Sequence, residues 1–145
     1  MNDQILGYCG LYCGGCSVLQ KTARGEKAVV DGKEVTCTGC AGDEVSSWCS
    51  DCAIKNCNRT RGYRYCLECG DYPCGMMQGF MNDPKYPYHL EVTDNMKRLK
   101  DAGLERWSAE MDASYACASC GRKNNWFDNT CPECGAALKN GRNSR

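Results

Sequence analysis

Cys117-Ala-Ser-Cys-Gly121 and Cys131-Pro-Glu-Cys-Gly135 are two copies of one short pattern, with ten residues between Cys120 and Cys131. A C-x2-C pair lets two thiolates grip one metal ion from a single tight turn. Four thiolates from two such turns make a closed tetrahedral site. The glycine after each pair lets the backbone amides of the turn approach the sulfurs. Trp126 and Phe127, between the pairs, are expected to cover the site. A closed four-thiolate site leaves no open coordination position, which points to structure rather than catalysis. Zinc suits these ligands, and so does iron, because both accept tetrahedral sulfur.

This tail resembles a rubredoxin-like zinc ribbon, and the resemblance implies two short β-hairpins. Upstream lie four more C-x2-C pairs: Cys13/Cys16, Cys37/Cys40, Cys49/Cys52 and Cys66/Cys69. Cys9, Cys57 and Cys74 stand just outside three of them, giving 15 cysteines in 145 residues. An odd count forbids full disulfide pairing within one chain. The N-terminus carries no basic stretch followed by an apolar run, and no segment approaches the roughly 20 apolar residues of a membrane span. The expectation is a reduced, cytoplasmic protein with no membrane association.

Leu, Ile, Val and Phe together number only 18 of 145 residues. That is below the fraction of about 20% under which a hydrophobic core becomes doubtful. Net charge is zero, so the chain is not a charged disordered tail. Metal must then replace part of the core: a structural zinc contributes an apparent ~10–16 kcal/mol in small peptides. The expected fold is a small metal-stabilised α+β protein, largely unfolded without metal. An irregular cysteine-rich multi-zinc module with short helices (1–83) leads through a helical connecting segment (84–113) to the ribbon (114–145).

In the connecting segment, Leu90, Met96 and Leu99 can share a face if a helix runs from about Leu90 to Ala102, with Gly103 as its left-handed stop. Leu104, Trp107 and Met111 recur at helical spacing over a further turn or two. The ordinary reading of both stripes is a face packed on the cysteine-rich module, and the other is a groove for a partner. Within that module, Cys49-x2-Cys52-x4-Cys57 is echoed by Cys66-x2-Cys69-x4-Cys74. Short helices are expected after Cys16 and Cys74, the second entered through Pro73.

With the ribbon set aside, eleven cysteines and His89 remain, enough ligands for three four-coordinate sites. Cofactor expectations therefore run from two to four zinc ions per chain. Cys37, Cys40, Cys52 and Cys57 make one reasonable site, and Cys9, Cys13, Cys16, Cys66, Cys69 and Cys74 would share others. Cys49 is either an extra ligand or a free thiol, and His89 is either a ligand or a solvated loop residue. Cys9-x3-Cys13-x2-Cys16 also matches the spacing that holds a [4Fe–4S] cluster in radical S-adenosylmethionine enzymes. Nothing in the chain reads as the repeated βα units of their partial barrels.

Tyr8-Cys-Gly-Leu-Tyr-Cys-Gly-Gly-Cys16, Cys37-Thr-Gly-Cys40, Cys52-Ala-Ile-Lys-Asn-Cys57 and Tyr65-Cys-Leu-Glu-Cys-Gly-Asp-Tyr-Pro-Cys74 resemble the signature of domain of unknown function 3795. The resemblance spans most of residues 6–104, with Cys49 outside the usual pattern. It implies a small zinc-binding prokaryotic protein and no particular activity.

Three function classes remain. The first is a structural multi-zinc binding or adaptor module. The second is an iron–sulfur or thiol redox protein. In the third, Lys55, Arg59, Arg61 and Arg64, interleaved with Tyr63 and Tyr65, bind single-stranded nucleic acid by cations and stacking. Protein or single-stranded nucleic acid is thus the partner to consider. Glu68 or Asp71 beside the Cys66/Cys69 turn could assist an open zinc, but both read first as solvated turn residues. The sequence holds no catalytic constellation.

Overall fold

The stretch Ile5–Cys16 lies at the centre of the molecule. The computed structural model describes residues 5–42, 45, 47–126 and 128–138. Leu6 and Tyr12 form an antiparallel bridge, and both are fully buried. Between them the chain doubles back through Gly10, at φ 89°, where an added Cβ would stand 2.8 Å from the Met96 methyl. Only glycine meets both demands, left-handed backbone and close approach. The short 3-10 turn Cys13–Gly15 leads to α1, Ser17–Ala23, with Cys16 at its N-cap position.

A hairpin follows, β1 Ala28–Val30 and β2 Lys33–Val35, with Val29 opposite Glu34. Its two-residue turn is Asp31-Gly32, both at positive φ, the combination that matches strand twist in a type I′ turn. Helices α2 (Ser47–Ser50), α3 (Ala53–Arg61) and α4 (Gly75–Met81) come next. Cys52 and Cys74 occupy the N-cap positions of α3 and α4, and Gly62 closes α3 in the left-handed conformation. The helix expected after Pro73 is therefore α4.

Helices α5 (Glu91–Ala102) and α6 (Leu104–Tyr115) form the platform on which the Ile5–Tyr12 loop rests. Gly103, at φ 84° and ψ 166°, ends one and starts the other; its extended ψ launches α6 at once instead of closing a left-handed turn. α6 is a full twelve residues, longer than the turn or two that Leu104, Trp107 and Met111 suggested. It folds back on α5, and Glu110 accepts two hydrogen bonds from the Arg98 guanidinium, at 2.7 and 2.5 Å. Leu90 does not share the buried face. It is 42% exposed, and Val92, with no exposed surface, stands with Met96 and Leu99 in its place. Leu90 precedes α5 in a 3-10 turn, so the helical spacing does not extend to it.

Aromatic and sulfur-containing side chains do what the scarce aliphatic residues cannot. Tyr12 packs edge-on against Trp107 at 5.9 Å and lies 5.0 Å from Tyr115. Its hydroxyl donates to Asp112, which also accepts from Lys123 at 2.5 Å. Met77, Met81, Met96, Tyr88 and Trp126 complete the same core, along with Cys9 and Cys66. Trp107→Ala would remove the largest fully buried side chain. The expected loss is about 3–5 kcal/mol, read as a lower urea midpoint for the metal-loaded protein.

Candidate metal centre

The two turns of the C-terminal segment are built alike. Cys117 N donates to Arg122 O and Gly121 N to Cys117 O, each at 2.8 Å; Cys131 N to Ala136 O and Gly135 N to Cys131 O repeat the pattern at the same distance. Gly121 and Gly135 have φ of 79° and 76°, the left-handed step each turn needs. The hairpins expected here are reduced to single bridges, Ala116 with Lys123 and Thr130 with Ala137. The tight turns consume the backbone pairing that longer strands would use.

These turns bring all four sulfurs within 4.8 Å of one another. Cys117 Sγ and Cys134 Sγ are 3.6 Å apart, as are Cys120 Sγ and Cys131 Sγ. A tetrahedron with zinc–sulfur bonds of about 2.3 Å has edges of about 3.8 Å, so the donor set fits such an ion. Amides of Cys120 and Ser119 face the Cys117 sulfur and hold its pKa down to about 6. Cys120 is raised to about 12, because its sulfur shares protons with Cys131, Cys134 and Cys117, burial adds to the rise, and the Arg122 amide opposes it. A group holding thiolate and thiol side by side is ready to exchange its protons for a cation.

Trp126 does not lie over this site alone, as the sequence led us to expect. It joins the main core, stacked on Tyr88 at 4.5 Å, and its amide donates to Gly15 O at 2.9 Å. Gln20 adds a second tie, its side-chain amide donating to Gly14 O at 2.8 Å and Asn124 O at 2.9 Å. The four-cysteine segment is thereby docked on the Cys13–Cys16 turn. Phe127 lies outside the described residues.

The remaining cysteines fall into two looser groups. Among the described residues, only the C-terminal four meet the 4.8 Å criterion. Cys57, Cys66, Cys69 and Cys74 line one cavity of about 70 Å³. Donors converge on its sulfurs: Asn58 Nδ2 on Cys66 at 3.1 Å, Arg61 Nη1 on Cys69 at 3.2 Å, and Asp71 N on Cys69 at 3.4 Å. Burial raises the Cys66 pKa, and the hydrogen bond from Asn58 opposes that rise. Cys57 thus shares a cavity with the second C-x2-C-x4-C repeat.

The other group surrounds Cys40. Hydrogen bonds with the Cys13 and Cys49 thiols, against the cost of burial, hold the Cys40 pKa down to about 3, helped by the Tyr8 backbone and Lys55. Cys13 and Cys49 are pushed up, first by their bonds to Cys40 and then by burial. Burial raises Cys9 also, with the Cys40, Cys52 and Cys66 thiolates adding to it. Cys16 is raised by burial and lowered by the Leu19 and Val18 amides, with Cys37 and Cys40 nearby. Gly39 N donates to Cys37 Sγ at 3.4 Å.

His89 is 8% exposed, neither a solvated loop residue nor in a sulfur cage. Its ring stacks on Phe80 at 3.9 Å and Tyr86 at 5.0 Å, and its Nδ1 is 3.0 Å from Phe80 O. The basic stretch divides: Lys55 is buried, Arg64 half-buried, and Arg59 and Arg61 exposed. Lys55 is 5% exposed, on the buried face of α3 with Asn58. Arg59 Nε reaches Tyr8 Oη at 3.4 Å, Arg61 serves Cys69, and Arg64 Nη2 donates to Leu6 O at 2.8 Å. Arg59 and Arg61 make these contacts from exposed positions. Glu68 is exposed and accepts the Arg64 amide at 2.7 Å, while Asp71 pairs with Arg61 at 3.6 Å. Asp71 also lines the cavity formed by Cys57, Cys66, Cys69 and Cys74.

The profile of the family described as protein of unknown function (DUF3795) matches residues 5–79. The chain belongs to this family. The match covers the Cys9–Cys16 turn and every cysteine up to Cys74, but ends inside α4, short of α5, α6 and the C-terminal four-cysteine segment. No curated protein and no solved structure matches the chain. Among the described residues the one sheet is two-stranded, so the Cys9-x3-Cys13-x2-Cys16 spacing has no partial barrel around it. Among the described residues no helix is long and apolar enough to cross a membrane.

Cys131→Ser tests the C-terminal site. Cys131 is 2% exposed. Loss of about one metal equivalent is expected, measured by elemental analysis against protein concentration, with the helical circular dichroism of α5 and α6 retained.

Proposed function

We propose that this DUF3795 protein is a structural multi-zinc module whose metal-held loops serve protein recognition. The observation that carries the reading is the tetrahedral approach of Cys117, Cys120, Cys131 and Cys134. Four protein thiolates close the coordination sphere, leaving no position where an ion could activate water. Cys57, Cys66, Cys69 and Cys74 extend the same logic, with Asn58 and Arg61 as outer donors to the sulfurs. The functional units in this reading are the cysteine-rich module of residues 1–83, the helices of 84–113 and the ribbon of 114–145. A reduced cytoplasmic setting keeps the thiols available to metal.

Recognition would fall to exposed loops on this scaffold. Val29, on the hairpin, is 62% exposed, and Met76, at the start of α4, is 40% exposed. Both stand beside cysteine turns and would be held in place by them.

Elemental analysis of the chain purified without added metal is expected to give two to four zinc ions per chain and a colourless solution. Anaerobically purified protein that is brown, with visible absorption and stoichiometric iron, would falsify the zinc reading in favour of iron–sulfur chemistry. Chelation of the zinc is expected to abolish the cooperative unfolding transition, since apparent metal-binding energies of ~10–16 kcal/mol per site exceed the usual stability of a small domain.

A further inference from the structure

Solvent meets the 15 cysteines unequally. Cys120 and Cys134 are the two exposed ones, and all the others are buried or half-buried. Both belong to the C-terminal four-cysteine group, where each is the second cysteine of its C-x2-C pair. The first cysteines of those pairs, Cys117 and Cys131, are 3% and 2% exposed. Each turn thus shows one sulfur to solvent and hides the other.

The sulfur separations join the two turns crosswise. Cys117 and Cys134 are 3.6 Å apart, as are Cys120 and Cys131. Each pair matches an exposed sulfur on one turn with a buried sulfur on the other. Thiolate is both the metal-binding and the nucleophilic form of cysteine, and its oxidation follows exposure. We propose that the C-terminal four cysteines are a site of reversible oxidation by peroxide. Cys120 and Cys134 are attacked first, and the products are cross-turn disulfides joining Cys120 to Cys131 and Cys134 to Cys117. The inference rests on the metal reading of these four residues and adds a regulation to it, because oxidation empties the site.

In the first step an exposed thiolate attacks one oxygen of hydrogen peroxide. A sulfur–oxygen bond forms, the O–O bond breaks and hydroxide leaves, giving a sulfenic acid. In the second step the buried thiolate of the other turn attacks that sulfur. The S–S bond forms and a second hydroxide leaves. Two sulfurs have then given two electrons to one peroxide, and the dication, short of two thiolates, passes to solvent. Contacts that involve no sulfur keep the turns facing each other meanwhile. Arg122 on the first turn pairs with Glu133 on the second at 3.2 Å. Between the turns, the Trp126 amide donates to Gly15 O and the Gln20 side chain to Asn124 O. They favour bridging within the segment over bridging between molecules. A dithiol reductant reverses the reaction by attacking the exposed sulfur of each bridge, after which zinc rebinds.

The test treats the zinc-loaded full chain with graded hydrogen peroxide and follows zinc release with a chromogenic chelator. Free thiols are then blocked and tryptic peptides mapped by mass spectrometry. Trypsin cuts after Arg122 and Lys123, between the turns. A cross-turn bridge therefore joins two peptides, whereas a bridge within one C-x2-C pair stays inside a single peptide. Early release of about one zinc equivalent is expected, with fragment spectra that join Cys120 to Cys131 and Cys134 to Cys117. Dithiothreitol and zinc are expected to restore the starting metal content. The wild-type chain decides the matter, so no ligand variant has to fold. Any other pairing of the four, earlier modification of a cysteine outside them, or zinc loss without a disulfide overturns the proposal and leaves the metal reading standing. Equal zinc content in Cys131→Ser and wild type, before any peroxide, overturns the metal reading and the proposal with it.

Discussion

Tyr12 is the point through which the parts of this protein communicate. Its ring is wholly buried against Trp107 and Tyr115, its hydroxyl reaches Asp112, and its chain neighbour is Cys13. Removing the ring would separate the cysteine-rich loop from the helical platform. The surrounding glycines serve the same contact. Gly10 lets the loop close on Met96, and Gly15 lets Trp126 approach, where an added Cβ would stand 2.5 Å from the indole nitrogen. A small domain with few aliphatic residues thus builds its core from rings and thioethers, which bury large areas at few positions.

Sulfur sets the opposing constraint. Gathering thiols in the interior raises the cost of ionising each one, and bonds among them let only some become thiolate. The chain meets this with donors placed locally. Asn58 and Arg61 lie on α3, just ahead in the chain of the cysteines they serve, and Lys55 lies one turn earlier. Helix α3 is therefore an electrostatic element as much as a packing one. Its cations compensate anionic sulfur, so the chain's neutral overall charge conceals a strongly polarised interior.

What could be read from the sequence follows the range of each interaction. The C-terminal four-cysteine turns are local, and their spacing alone placed all four ligands. α4 and α5 were legible from Pro73 and from the Met96–Leu99 spacing, and the Asp31-Gly32 turn carries an equally local hairpin signal. The grouping of Cys13 with Cys40 and Cys49 was not legible, because it joins residues far apart in the chain that only the tertiary fold brings together. The cavity that Cys57 shares with Cys66, Cys69 and Cys74 was not legible for the same reason: spacing cannot say which face of α3 meets which turn. The stretch from Lys55 to Arg64 looks basic and exposed when read linearly. On a helix, Lys55 and Asn58 lie one turn apart, and that face is buried.

Cys16, Cys52 and Cys74 each stand immediately before a helix, and those helices are 7, 9 and 7 residues long. Segments this short do not hold a helix by themselves in water. In the proposed multi-metal reading each helix begins where a ligand is pinned, so ordering of the backbone and capture of the ion become one event. For such a chain, scarcity of metal would change how many molecules are folded, not how well folded each molecule is.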